Sequence, residues 1–235
     1  MNESFSGQII LINKPYRWTS FDVVRKIKRD LIQKSKAKNK KLKVGHAGTL
    51  DPLATGLLIL CSESMTKKIP EIQDAEKEYE GSFFIGATTP SHDLETEVSA
   101  RFDISQITDE VISTTAASFK GEQMQTPPSH SAVKVNGKRA YELARKGKEF
   151  TIEPKKILIK EFEIKGINLP YVHFRIVCTK GTYIRSLAYD FGKKLNSGAH
   201  LSSLCRTRIG HYLLKDALDP DSFLSNLVEN KVSPY

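Results

Sequence analysis

A single carboxylate stands in a stretch whose composition suits chemistry, residues 45–56 with the sequence GHAGTLDPLATG. The stretch holds three glycines, one histidine, two threonines and one acid, Asp51, and it runs directly into the apolar residues 57–60. Glycines permit backbone angles and close approaches that other residues cannot make. Pro52 biases the backbone of Asp51 towards extended conformations. The pattern predicts a rigid loop that feeds a buried strand and holds one reactive side chain.

Four roles are open to an aspartate in such a loop. A metal site is disfavoured because only His46 is near enough in sequence to act as a second ligand. A phosphate-binding loop is disfavoured because the carboxylate would repel phosphate and because the Gly-Lys-Ser/Thr of a P-loop is absent. Nucleophilic or general-base chemistry needs only one rigidly placed carboxylate. A structural role, in which Asp51 pairs with an arginine or caps a turn, stays open on the loop alone.

Composition limits the class of protein and its partners. The 235 residues are 39% hydrophobic and 27% charged, as in a globular protein with a substantial core. The 36 Lys and Arg against 27 Asp and Glu give a net charge of +9, which favours nucleic acid as partner. Cys61, Cys178 and Cys205 lack zinc-ligand spacing and are expected to be buried free thiols, as in a reducing compartment. No signal-peptide pattern or bilayer-length apolar run is found, so a cytoplasmic protein without a membrane partner is expected.

The predicted strands and helices that must position this loop follow one another in an irregular order along the chain. Thr19 and Asp22 predict a capping box, followed by a buried helical stripe of Phe21, Val24, Ile27 and Leu31. Strand patterns cover residues 9–12, 57–61, 77–85, 131–135, 157–164, 172–178 and 206–213. Helical patterns cover residues 65–72, 107–119, 141–146 and 184–195, and a last helix begins at 219–220. Without a regular βαβ alternation, the pattern favours an α+β fold with a mixed or largely antiparallel sheet.

Several further motifs follow in order, and together they resemble the TruB-type tRNA pseudouridine synthases. The stretch that contains Asp51 resembles the family's catalytic motif, and Asn13-Lys14-Pro15 resembles its N-terminal motif. The other matching segments are residues 77–80, which carry the family tyrosine, residues 125–147, residues 178–187, which carry the family arginine, and residues 198–201. The resemblance spans roughly residues 9–215. It implies a pseudouridine-synthase fold with a mixed, largely antiparallel central sheet flanked by helices and loops, forming a single domain over residues 1–235.

The resemblance also implies roles for individual residues. Asp51 is the essential carboxylate, which either attacks the nucleoside or abstracts a ribose proton, and both routes stay open. Arg185 pairs with Asp51 and keeps it ionised, and Tyr79 stacks on the target base. His46 fills the space that the flipped-out nucleotides leave.

Positively charged residues are expected to contact the RNA. Lys14, Lys134 and Arg145 are RNA or structural contacts, and the last two lie on an RNA-contacting insertion at about residues 125–150. The lysine run at 34–43 is either a solvated loop or a further set of phosphate contacts. Asp93 departs from the family spacing, because Thr96 stands where the family often has glycine, and it is left out of the catalytic set.

The implied activity is isomerisation of the T-loop uridine at tRNA position 55 to pseudouridine after base flipping. The isomerisation changes no oxidation state and imports no group, so neither a cofactor nor a metal is expected. The implied partner is the T-arm of tRNA, bound by a monomer without an obligatory protein partner. The chain ends at Tyr235, so the C-terminal RNA-binding (PUA) module of typical bacterial members is expected to be missing. An RNA-binding module without catalysis and a subunit of a guide-RNA particle are the alternatives.

Overall fold

A computed structural model describes residues 7–35, 42–135, 137–223 and 225 of the chain. The described residues form two compact units, one from Met1–Glu78 with Cys205–Tyr235 and one from Tyr79–Leu204. We call them the Asp51 unit and the Arg185 unit. The lysine run at 34–43 falls mostly outside the described residues, as does most of the helix expected from residue 219.

Thirteen strands and five α-helices are assigned in the described residues. The strands are β1 (Ile9–Lys14), β2 (Val44–His46), β3 (Thr55–Ser62), β4 (Lys77–Ile85), β5 (Ala87–Thr88), β6 (Ala100–Arg101), β7 (Gly121–Gln125), β8 (Lys134–Val135), β9 (Lys138–Arg139), β10 (Lys155–Asn168), β11 (Tyr171–Cys178), β12 (Ala199–Ile209) and β13 (Tyr212–Leu213). The helices are α1 (Ser20–Ser35), α2 (Ile69–Asp74), α3 (Asp109–Ala117), α4 (Ala140–Ala144) and α5 (Ile184–Lys194). Short 3₁₀ turns cover Glu63–Lys68 and Leu214–Asp216.

The Asp51 unit is built around β3. This strand pairs antiparallel with β1 and β2 and parallel with β12, where Arg206 is opposite Gly56. Because successive side chains of a strand point to opposite faces, β1 and β3 supply two apolar layers. One layer packs with the apolar stripe of α1, and the other with α2 and the end of β12. Both faces of β3 are therefore buried, which fixes the loop that leads into it.

The Arg185 unit contains strands in the order β4-β11-β10-β7. Both pairings of β10, with β11 and with β7, are antiparallel. Aromatic rings fill its core, with centroid separations of 4.4 to 6.4 Å that are typical of favourable ring pairs. The rings belong to Phe83, Phe119, Phe162, Phe174 and Phe191. The last of these lies on α5, so the core holds the helix that carries Arg185.

The structure confirms the predicted α+β class with a mixed and largely antiparallel sheet. The parallel pairing of β3 with β12 is accompanied by antiparallel pairings of β1 and β2 with β3, of β10 with β7 and β11, and of β12 with β13. The capping box of α1 is also confirmed, since the Asp22 carboxylate accepts from the Thr19 N–H at 3.0 Å and Thr19 Oγ1 accepts from the Asp22 N–H at 3.1 Å. No helix in the described ranges is both long and apolar enough to cross a bilayer.

Some local predictions were wrong. The strand expected at 206–213 begins at Ala199 and ends at Ile209, because Gly210 takes a positive φ of 54° and turns the chain into β13. The strand expected at 131–135 is reduced to β8. Phe21 is exposed, and Val23 takes its place in the buried stripe of α1. The Cys61 and Cys178 thiols are buried as predicted, whereas Cys205 is half-buried.

Candidate active site

The loop that carries Asp51 is fastened by its own backbone and by Ser20, the first residue of α1. The Ser20 hydroxyl accepts from the Leu50 N–H at 2.9 Å and donates to the Leu50 carbonyl at 3.2 Å. Within the loop, the Ala54 N–H donates to the Asp51 carbonyl at 3.1 Å. The residues on both sides of Asp51 are therefore held, and the carboxylate is itself partly buried. This is the rigid placement that the glycine-rich sequence predicted.

Arg206 is the residue of this site that the sequence did not reveal. Its side chain is only 1% exposed, and its guanidinium donates to the carbonyls of Leu57 at 2.8 Å, Gly48 at 3.0 Å and Thr49 at 3.4 Å. The backbone of Arg206 can lie this close to β3 because residue 56 is a glycine. Gly56 takes a φ of 99°, and a Cβ there would lie 2.4 Å from the Arg206 carbonyl oxygen. Arg206 thus ties the first part of the loop to the strand that follows it.

Lys14 contacts the loop at Pro52, on the C-terminal side of Asp51. Its ammonium donates to the carbonyls of Pro15 at 2.9 Å, Trp18 at 2.6 Å and Pro52 at 3.3 Å, and its side chain has no exposed surface. Burial lowers the pKa of Lys14 to about 8, although the nearby Asp51 carboxylate opposes that shift. Of the two roles expected for Lys14, the structural one rests on these contacts, and the RNA contact stays a prediction.

His46 is the last residue of β2, five residues before Asp51, and is partly buried. Its pKa is lowered, first because burial disfavours the imidazolium and then because the Arg206 cation is close. The ring is therefore neutral at pH 7. The structure brings Lys14, His46 and Asp51 together around one loop of one unit.

Arg185 lies in the first turn of α5 and is buried. Its guanidinium donates to the Ser91 carbonyl at 3.3 Å and to the His130 carbonyl at 3.1 Å, and its Nε lies 3.6 Å from Asp93 Oδ2. The start of α5 is fixed by Gln125, whose side-chain amide exchanges two hydrogen bonds with the Tyr183 backbone at 2.8 and 3.1 Å. Contacts from three separate segments therefore hold the Arg185 guanidinium and the start of α5 in place.

Asp93 belongs to this site, although the sequence left its role unassigned. Its side chain is 3% exposed, and Oδ1 accepts from the Glu95 N–H at 3.0 Å while Oδ2 faces Arg185. A buried guanidinium is costly without an opposite charge, and Asp93 supplies one. The two residues are far apart in the sequence, so no local pattern could have linked them.

His92 stands beside this ion pair in a strained backbone conformation, with a φ of 62°. Its ring stacks on Tyr189 at a centroid distance of 4.3 Å. Burial lowers its pKa to about 4, and the Arg185 cation adds to the shift. His92 is therefore neutral at pH 7 and packs as an aromatic ring.

Tyr79 and the insertion complete the residues expected from the sequence. Tyr79 is buried on β4, on the same face as Phe83 and Ile85. Lys134 on β8 and Arg145 after α4 are both exposed, and Arg145 lies over the Tyr141 ring at 5.6 Å. Asp51 belongs to one unit, whereas Tyr79 and Arg185 belong to the other. The pairing of Asp51 with Arg185 and the stacking of Tyr79 on the base stay predictions.

The chemical groups of both units are those of acid–base and ionic chemistry. Within the ranges that the structure covers, His, Cys, Asp and Glu nowhere gather in the groups of three or more that hold a metal ion. One unit offers a partly buried carboxylate next to a buried ammonium, and the other offers a buried guanidinium. Such groups can stabilise charge or move a proton in a nucleoside.

Comparison with known proteins finds relatives over almost the whole chain. A family model described as TruB family pseudouridylate synthase (N terminal domain) matches residues 34–184. The chain is 54% identical over 225 residues to tRNA pseudouridine synthase B of Flavobacterium johnsoniae, covering 96% of this chain and 98% of that protein. It is 51% identical over 217 residues to tRNA pseudouridine synthase B of Bacteroides fragilis, covering 92% of each. A solved Cbf5-Nop10-Gar1 complex matches with a TM-score of 0.72 and 26% identity over 96% of this chain, which spans 57% of the matched chain.

Proposed function

Because the chain belongs to the TruB family of pseudouridylate synthases, we propose that it converts the T-loop uridine at position 55 of tRNA to pseudouridine. The relatives named tRNA pseudouridine synthase B, about half identical over nearly their full lengths, support the tRNA substrate. The observation that carries the proposal is Asp51, held next to a buried ammonium on a loop fastened by Ser20, Lys14 and Arg206.

The reaction breaks the glycosidic bond, rotates the uracil and joins it to the ribose through C5, which loses its hydrogen. No electron is gained or lost, so one carboxylate and well-placed positive charges are sufficient. Asp51 attacks the nucleoside or removes a ribose proton, and either route needs the ionised form. The Lys14 ammonium interacts electrostatically with Asp51.

The remaining roles draw on both units, which serve as one catalytic domain in this proposal. Arg185 is the cationic partner of Asp51 in this proposal, as the family resemblance implies, and two carbonyls and Asp93 hold its guanidinium in place. Tyr79 stacks on the target base. The neutral ring of His46 takes the space of the flipped nucleotides, since an uncharged aromatic ring can replace a base in a stack.

The T-arm is bound by the insertion at about residues 125–150. Its exposed positive residues outnumber its exposed acids, and they can contact phosphates of the RNA. They are Lys134, Lys138, Arg139, Arg145, Lys146 and Lys148, against Glu142 and Glu149. The protein acts as a cytoplasmic monomer without an obligatory protein partner.

The test is tritium release from a T-arm stem-loop that carries 5-tritiated uridine, with the protein alone. Asp51→Asn should lower release by at least about 10³-fold, because an amide can neither attack nor take the proton. RNA binding should persist, since the substitution removes one charge that does not hold the RNA. Asp109→Asn is the matched control, because Asp109 is an exposed carboxylate in the first turn of α3.

Three results would overturn the proposal. Turnover of Asp51→Asn near that of the wild type would remove Asp51 from the chemistry. Tight binding of the stem-loop by the wild type without any release would favour an RNA-binding module. Release that requires a guide RNA and further proteins would instead favour a particle subunit.

A further inference from the structure

The turn formed by residues 15–18 presents an aromatic ring and a cation to solvent. The Trp18 N–H donates to the Pro15 carbonyl at 3.4 Å and closes the turn. Between them, Tyr16 is 51% exposed and Arg17 is also exposed. The Arg17 guanidinium carbon lies 5.6 Å from the centre of the Tyr16 ring, so the cation covers one face of the ring.

This turn is fastened directly to the loop that carries Asp51. The Arg17 N–H donates to the carbonyl of Pro52 at 2.8 Å, and Pro52 is the residue that follows Asp51. The buried ammonium of Lys14 bonds the carbonyls of Pro15 and Trp18 at the two ends of the turn and that of Pro52 as well. The exposed pair therefore has a fixed position next to Asp51.

The backbone of Arg17 is unfavourable for a residue with a side chain. Its φ is 67°, in the region that glycine occupies without strain and other residues rarely adopt. Glycine would satisfy the turn better, and the half-exposed Tyr16 ring gains little from burial. The fold therefore requires neither a tyrosine at position 16 nor an arginine at position 17. Backbone strain of this kind concentrates at functional sites.

We propose that Tyr16 and Arg17 form a stacking site for an RNA base that neighbours the nucleotide bound at Asp51. The inference rests on the proposed function, because it takes RNA as the ligand. The guanidinium covers one face of the ring, and the base stacks on the other, as unpaired bases do on aromatic side chains. Stacking of this kind tolerates any base, so the site adds affinity and positions the strand without reading sequence.

The test measures binding of the T-arm stem-loop to variants of the full-length protein. Tyr16→Leu keeps apolar bulk but removes the ring, and it should weaken binding about 5- to 150-fold, the range found when an aromatic stacking partner is removed. Tyr16→Phe keeps the ring and should restore the affinity to within about threefold of wild type. Arg25→Gln, which removes another exposed cation of the Asp51 unit, controls for general charge.

Arg17→Gly separates binding from folding. It removes the cation but relieves the positive φ, so RNA binding should weaken while the melting temperature stays equal or rises. A stem-loop with 2-aminopurine next to the target uridine adds a direct signal. Its fluorescence should be quenched on binding to the wild type and to Tyr16→Phe, and less so with Tyr16→Leu.

Equal affinity and equal quenching for Tyr16→Leu and the wild type would overturn the inference, even if tritium release supports the proposed function. Weaker binding by Arg17→Gly without any effect of Tyr16→Leu would also overturn it, since it would show a phosphate contact without stacking. If the wild type binds but releases no tritium, the proposed function fails while the Tyr16 comparison still decides the stacking site. If the wild type does not bind the stem-loop, both fail.

Discussion

Replacing Arg206 tests whether the Asp51 loop owes its placement to one buried guanidinium. Arg206→Met keeps the length and the apolar stem of the side chain but removes every donor. The carbonyls of Leu57, Gly48 and Thr49 then lose a charged partner. Because two of these carbonyls lie in the loop itself, we expect the loop to move relative to β3.

The cost follows from the exposure of each carbonyl. Leu57 is buried, so the loss of its donor costs about 1–3 kcal/mol. The loop residues Gly48 and Thr49 are more exposed and regain water, so together they add about 1 kcal/mol. Removing a buried charge returns part of its desolvation cost. A net destabilisation of about 2–3 kcal/mol corresponds to a fall in Tm of about 4–12 °C for a protein of this size.

The effect on catalysis should exceed what the loss of stability explains. A displacement of about 1 Å in a catalytic group can cost about 100-fold in rate. We therefore expect kcat for tritium release to fall about 10- to 100-fold at temperatures where the variant is folded, with a smaller change in KM. Arg206→Lys keeps the charge and a shorter donor, and it should recover part of the loss.

Arg208→Met is the matched control, two residues further along β12. Arg208 bonds Glu76 at 2.7 Å and the Gly210 carbonyl at 3.0 Å, and its Nε lies 3.7 Å from Glu78. It should lose stability but keep kcat, since none of these partners belongs to the loop. If folded Arg206→Met turns over at the wild-type rate despite a lower Tm, Arg206 does not position Asp51.

Two further predictions concern pH and salt. Burial lowers the pKa of His92 to about 4, so between about pH 6.5 and 4 the unfolded chain binds a proton at this histidine and the folded protein does not. The free energy of unfolding should therefore fall on acidification, by up to about 3 kcal/mol from this site. His92→Asn, which tolerates the φ of 62°, should remove that part in denaturant titrations at about pH 7 and 4.5, and unchanged acid sensitivity would contradict the burial argument. Replacing Lys134 and Arg145 with glutamine should reduce the slope of log Kobs against log salt by about 1 for each lost phosphate contact. The same slope in the variant would show that the insertion does not touch the backbone of the RNA.

Local signals in the sequence predicted the elements that depend on local interactions. The capping box at Thr19 and Asp22 forms as expected, because both partners lie within one helical turn. The strand predicted at 77–85 has the observed bounds, because Tyr79, Phe83 and Ile85 recur on one buried face. The strand predicted at 157–164 extends to Asn168, because irregular pairing near Ile164 and Gly166 interrupts the alternation that marks a strand. The rigid Asp51 loop was evident from its glycines and from the apolar run that follows.

Only the tertiary structure showed what holds each candidate catalytic residue. Arg206 reaches the Asp51 loop across 157 to 158 residues of chain, and no pattern in its surroundings distinguishes it from Arg208, the other arginine of β12. The pairing of Arg185 with Asp93 and the burial of Lys14 likewise depend on segments that meet only after folding. The sequence alone determined the class of fold and the family, and it predicted the acid at the centre of the candidate site. The contacts that fix that acid, and the strained turn of Tyr16 and Arg17 beside it, were decided by long-range packing, because a charged side chain is buried only where distant backbone groups are arranged to receive it.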